Sequence, residues 1–102
     1  MNHTVNRITL VCYDISNNKF RRKIDKCMKD FGIRLQYSVF LCRLGESELS
    51  RCREKLSTLI NQHNAEREEQ DSLIIFEGIH PNTFNSLLEG SITHKPSAYR
   101  II

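Results

Sequence analysis

The residues with the most chemistry to offer lie within 8–22, ITLVCYDISNNKFRR. An unbroken apolar run there ends on one acid, Asp14, directly before a turn, and Lys19, Arg21, Arg22 and Lys23 follow within nine residues. Carboxylate oxygens are the ligands that hard cations such as magnesium prefer. Guanidinium groups grip phosphate oxygens through a bidentate fork. An acid where a buried strand ends, beside a basic helix, therefore suits a metal and a phosphate backbone handled together. The plainer reading is that Asp14 caps or hydrogen-bonds within the strand-to-helix turn and that the basic residues form a solvated helix face.

Charge distribution bears on that choice. The chain of 102 residues has room for one domain with a small core and carries a net charge of only +3. Residues 19–34 nevertheless hold seven basic residues against two acids, Asp25 and Asp30, while 66–77 hold five acids and one arginine. The basic block suits a polyanion. Four cysteines, Cys12, Cys27, Cys42 and Cys52, form no C-x-x-C pair and have no histidine at finger spacing, so buried free thiols are expected. His3, His63, His80 and His94 are scattered and suggest no catalytic set, and Ser16 and Ser38 have no histidine–aspartate partner for serine-type hydrolysis. No apolar run reaches the roughly eighteen residues of a membrane span. The start, MNHTVNR, lacks a signal-peptide layout, so a cytoplasmic location is expected.

The elements that must position these residues follow from periodicity. Residues 7–14 read as a strand with Ile8, Leu10, Cys12 and Asp14 on one face and Thr9, Val11 and Tyr13 on the other, apolar enough to be covered on both sides. Ser16 or Asn17 can cap a helix that runs to about residue 30 with Phe20, Ile24, Cys27, Met28 and Phe31 on one stripe. Gly32 is expected to end it in the left-handed conformation. Residues 33–44 fit two short strands with a turn near Gln36 to Ser38, or one long bent strand. Ser47 is expected to cap a second helix carrying Leu49, Cys52, Leu56, Leu59 and Ile60 on one face. Residues 64–70 read as a polar surface linker and 73–76 as another buried strand. We divide the chain into a domain of residues 1–80 and a C-terminal extension, 81–102, with a loop at 95–97 and a terminal strand docking on its own or a partner's sheet.

The succession β-α-β-β-α-β with an extra C-terminal strand predicts an α+β, ferredoxin-like antiparallel sheet with both helices on one face. That layout leaves the second face open, although VCY, VFLC and LIIF offer apolar side chains to both. The expected cover is a second copy, giving a two-fold homodimer through the open face.

Three segments carry a resemblance: Tyr13-Asp14-Ile15-Ser16, the basic run from Lys19 to Lys23, and Gly32-Ile-Arg-Leu-Gln-Tyr-Ser-Val-Phe40. Together, over roughly residues 8–76, they closely resemble the small CRISPR-associated Cas-two family. The resemblance implies a ferredoxin-like homodimer that partners the Cas-one integrase, holds duplex DNA and helps insert it as new CRISPR spacers. It also implies a magnesium-dependent endonuclease acting on RNA, including single-stranded RNA, or on DNA. The family residues that map here are Tyr13, Asp14, Arg21, Arg34 and Phe40. The family's second basic position falls on Lys23, with Arg22 beside it. A stand-alone small ribonuclease toxin on the same fold is the alternative.

On this reading Asp14, with Tyr13 beside it, is the catalytic candidate. A lone Asp14 is too few ligands for a firm Mg2+ site, but two copies meeting at a dimer axis could share one ion. Arg21, Arg22, Lys23 and Arg34 are the nucleic-acid-binding candidates, with Arg34 equally suited to pairing with an acid. Phe40 is expected in the core or the dimer contact.

Overall fold

The alternating residues of the first run form strand β1, Ile8–Asp14, and the later patterns close into elements in turn. The computed structural model describes residues 7–88 and 98–101. After β1 come helix α1 (Asn18–Met28), strands β2 (Gly32–Gln36) and β3 (Val39–Cys42), helix α2 (Glu46–His63), strand β4 (Ser72–Ile79), helix α3 (Pro81–Leu88) and strand β5 (Ala98–Ile101). His3, His94 and the loop expected at 95–97 lie outside the described residues. The strands pair antiparallel in the order β2-β3-β1-β4-β5. The molecule is thus α+β, and β1 is the central strand, paired along both edges.

The helices cover one face. Val11 and Tyr13 of β1, Phe40 and Cys42 of β3, and Leu73 and Ile75 of β4 share one buried cluster with Phe20, Ile24 and Met28 of α1 and Cys52, Leu56 and Ile60 of α2. Each large apolar side chain so placed contributes about 1.5–3 kcal/mol. The thiols are free, as expected: Cys42 and Cys52 are buried, Cys12 and Cys27 only partly. Of the two arrangements open for 33–44, the chain adopts the hairpin, with Tyr37 and Ser38 as its two-residue turn. The register shifts by one between Arg34 and Gln36, leaving Leu35 as a bulge in the edge strand β2.

Two local expectations need correction. Gly32 does not end α1 in the left-handed region; Gly78 is the glycine with positive φ among the described residues. Gly32 is instead the first residue of β2, and a Cβ there would lie 2.2 Å from the Leu41 carbonyl oxygen and 2.7 Å from Cys42 Sγ. Close approach of β3, not φ, excludes a side chain. Nor does Ser47 cap α2. Gly45 is the N-cap residue, and its N–H donates to the Glu48 carboxylate at 3.4 Å, which leaves Ser47 inside the first turn.

The second face has a smaller cover drawn from the same chain. Phe84 of α3 is buried with Ile8 and Ile79, and Leu10, Leu41 and Phe76 pack against them. Gly78, at φ 68°, makes this possible. The β1–β4 register shifts by one beside it, so that Ile79 turns to the same face as Ile8. At the other end of this face Cys12, Val39 and Ile74 remain partly exposed, and Asp14 is exposed. The terminal strand β5 pairs with β4 of its own sheet, Ile75 opposite Arg100 and Phe76 opposite Tyr99. Among the described residues no helix is long and apolar enough to cross a membrane.

Candidate nucleic-acid and metal site

Asp14 is the last residue of β1 and stands opposite Ser72 of β4. The chain beyond it is pinned at three points. Ile15 is buried, Ser16 donates from both N–H and Oγ to Asp71 at 3.0 Å, and Asn17 caps α1 by accepting from the Phe20 N–H at 2.8 Å. Asn17, then, is the cap, and the Asp14 carboxylate is left without a hydrogen bond or ion pair among the described residues. It lines a shallow depression of about 220 Å³ on the less covered face, together with Cys12, Tyr13, Ser38, Val39, Ser72 and Ile74.

Asp71 holds that loop in place. It is 6 % exposed, and its carboxylate also accepts from the Glu68 N–H at 3.0 Å. Burial alone pushes its pKa up. The hydrogen bonds from Ser16 and Glu68, with a smaller contribution from nearby His63, outweigh burial and bring it below the ordinary value.

Tyr13 and Asp14 do not converge. Successive strand residues point to opposite faces, and the Tyr13 ring lies under the helices, stacked on Phe40 with centroids 6.3 Å apart. Its hydroxyl donates to Asp25 of α1. Burial, then the bond to Asp25 and its charge, push the phenol far up, against weaker opposing effects of Arg34 and Arg21. A neutral, hydrogen-bonded phenol on the far side of the strand cannot orient a water at Asp14. The catalytic pairing expected of these neighbours is corrected on that ground. Asp25 also pairs with Arg34 at 3.2 Å, and the Arg34 guanidinium lies 5.2 Å over the Phe40 ring. Arg34 thus pairs with an acid of its own chain, and Phe40 lies in the core.

The basic candidates divide in the same way. Arg21 is fastened, with Nη1 donating to the Ile15 carbonyl at 3.2 Å and Nη2 to Asn18 at 2.7 Å. Arg22 and Lys23 are exposed. Lys23 also borders a groove of about 560 Å³ between α1 and α2, lined by Lys26, Arg51 and Lys55, by the acids Asp30 and Glu54, and by the partly buried Cys27.

No group of three or more histidine, cysteine, aspartate or glutamate side chains converges as a metal site among the described residues. A magnesium ion keeps several waters and uses one or two carboxylates. Asp14, open to solvent, fits as one such ligand and needs a second from elsewhere. Asp25 and Asp71 escaped sequence reasoning because their partners are 12 and 55 residues distant and nothing local marks them.

Comparison with known proteins follows the same lines. Residues 7–86 match the family model described as CRISPR associated protein Cas2. A CRISPR-associated endoribonuclease Cas2 of Rhodospirillum rubrum is 38 % identical over 52 residues, covering 51 % of this chain and 42 % of that protein. A CRISPR-associated endoribonuclease Cas2 of Thermus thermophilus is 33 % identical over 67 residues, covering 66 % and 65 %. The chain thus spans between two fifths and two thirds of the length of these relatives. Among solved structures, a hypothetical protein from Thermus thermophilus superposes with a TM-score of 0.57 at 35 % identity, over 68 % of this chain and 77 % of that one. Streptococcus pyogenes Cas2 gives 0.57 at 24 % identity, over 78 % and 93 %, a likeness of fold alone.

Proposed function

The chain belongs to the CRISPR associated protein Cas2 family, and from that premise we propose that it is a homodimeric nucleic-acid-binding protein of CRISPR adaptation. In this reading the ferredoxin-like sheets of two copies meet through the less covered face, where Cys12, Val39 and Ile74 are partly exposed. The dimer holds duplex DNA and docks the Cas-one integrase during spacer acquisition. Arg22 and Lys23, doubled by the two-fold axis, neutralise phosphates without reading sequence. Arg21 adds charge from a fixed position, and Arg34 keeps the α1–hairpin junction rigid.

Phosphodiester hydrolysis is the second part of the proposal, and the relatives named endoribonucleases support it. The carrying observation is the Asp14 carboxylate, exposed at a strand end and unpaired among the described residues, with Arg21, Arg22 and Lys23 in the helix that follows. Two Asp14 side chains across the dimer would share one Mg2+, which when bound supplies Lewis-acid polarisation of a phosphate and a more acidic water. The protein's own part is to hold the carboxylates and to anchor the backbone on both sides.

The test compares wild type with Asp14→Ala on labelled duplex DNA and single-stranded RNA, with magnesium and with chelator, beside a salt titration of binding. Magnesium-dependent cutting by wild type alone, with equal binding by both, supports the enzyme. Steep salt-dependent duplex binding by both without cutting leaves a scaffold. Absence of binding by wild type overturns the proposal.

A further inference from the structure

An exposed aromatic stands at the Asp14 end of the sheet, outside the site proposed above. Tyr37, in the β2–β3 turn, is 67 % exposed. It is nonetheless held. Arg34 Nη1 donates to its carbonyl oxygen at 2.6 Å, and the Arg21 guanidinium lies 5.2 Å from its ring centroid. Arg21 is itself fixed to Ile15 and Asn18, in the segment that follows Asp14. The turn is also tied to β1, since the Tyr13 N–H donates to the Ser38 carbonyl at 3.1 Å. Ser38 and Asp14 line one depression. An aromatic ring backed by a cation, exposed and oriented before any ligand arrives, is what a base-stacking platform requires.

We infer that Tyr37 stacks on an unpaired base of a single-stranded nucleic acid whose backbone passes Asp14. The inference rests on the nucleic-acid reading above and refines it. Bases of a duplex are already stacked on each other, so the platform selects single strands and splayed ends. Stacking of this kind is worth about 5- to 150-fold in affinity. Ile33 and Leu35, 63 % and 39 % exposed on the same edge strand, make a protein contact the competing explanation.

The chain has no tryptophan, so Tyr37→Trp adds a single indole that preserves stacking and reports it by fluorescence. This variant is titrated with a single-stranded RNA of about ten nucleotides, within the site sizes of single-strand binders, and with a blunt duplex of the same sequence. Tyr37→Leu and Tyr37→Phe are compared with wild type by anisotropy on both probes. Expected are saturable quenching by the single strand and not by the duplex, a loss of about 5- to 150-fold in single-strand affinity for Tyr37→Leu with duplex affinity held, and retention for Tyr37→Phe. Bound RNA that leaves the indole unquenched overturns the inference. So does an equal loss on both probes, or an emission shift that follows protein concentration alone. If wild type binds neither probe, the nucleic-acid reading itself falls, and wild-type anisotropy reports that separately.

Discussion

The two faces of the sheet are made from alternate residues of the same strands, yet they treat polar groups in opposite ways. On the side of α1 and α2, two acids serve the fold. Asp25 receives Tyr13 and Arg34, and Asp71 receives Ser16 and Glu68. On the other face Asp14 has no such partner among the described residues, and the apolar residues around it are half covered. A carboxylate that is satisfied within its own chain explains itself by stability. One that is held in place by a pinned loop but left unpaired points outward, to a ligand or a second molecule. The contrast sets Asp14 apart from the two structural acids without reference to any relative.

The contrast is broken most directly in the core. Phe40→Ala, on the covered face, should cost about 3–5 kcal/mol in urea unfolding, whereas its neighbour Val39→Ala, on the other face, should cost no more than about 1 kcal/mol at low protein concentration. A Val39→Ala cost that grows with protein concentration would show that a second copy covers this face. Asp14→Ala should lower phosphodiester cleavage by more than about 100-fold while leaving the unfolding midpoint in place. A fall in both would make Asp14 another structural acid.

Asp71→Asn removes one of two accepting oxygens and should destabilise the fold by about 1–3 kcal/mol at pH 7. Because the folded Asp71 has a lowered pKa, its contribution is complete above the ordinary carboxylate value of about 3.9. It is lost as pH falls through the folded value, so the gap between wild type and variant should close under acid. A constant gap would mean that the charge of Asp71 is immaterial. The smallest effect is expected from Arg22→Ala, which should reduce the salt dependence of duplex binding by about 0.9 for each phosphate no longer neutralised and leave stability unchanged.

What could be read from the sequence was what repeats locally. The period-two and helical patterns placed β1, α1, α2 and β4, and the strand end at Asp14 stood out because a charge follows an apolar run. Pairings across the chain were beyond reach. Asp71 meets Ser16 from 55 residues away, and the polar stretch around it resembles any surface linker. Phe84 lies beyond the last strong strand pattern, in the short stretch PNTFNSLL, and only the bulge at Gly78 brings a buried partner to its side of the sheet. Gly32 illustrates a different limit. A glycine after a helix suggests a left-handed cap, but the constraint is a backbone that lies ten residues onward in β3. Tyr37 falls in the turn expected near Gln36 to Ser38, but the guanidinium behind its ring comes from Arg21 in α1, and nothing local marks that contact.

The free thiols turn this architecture into a native footprinting system. Cys12 lies in the Asp14 depression and Cys27 in the groove between the helices, both partly accessible. Cys42 and Cys52 are sealed, with burial the main cause that pushes each pKa up to about 12. Alkylation requires the thiolate, so a mildly alkaline pulse of reagent should mark the first pair well before the second. Protection of Cys12 would report whatever occupies the less covered face, and protection of Cys27 whatever occupies the helical side. The unmodified protein thus carries one chemical reporter for each surface.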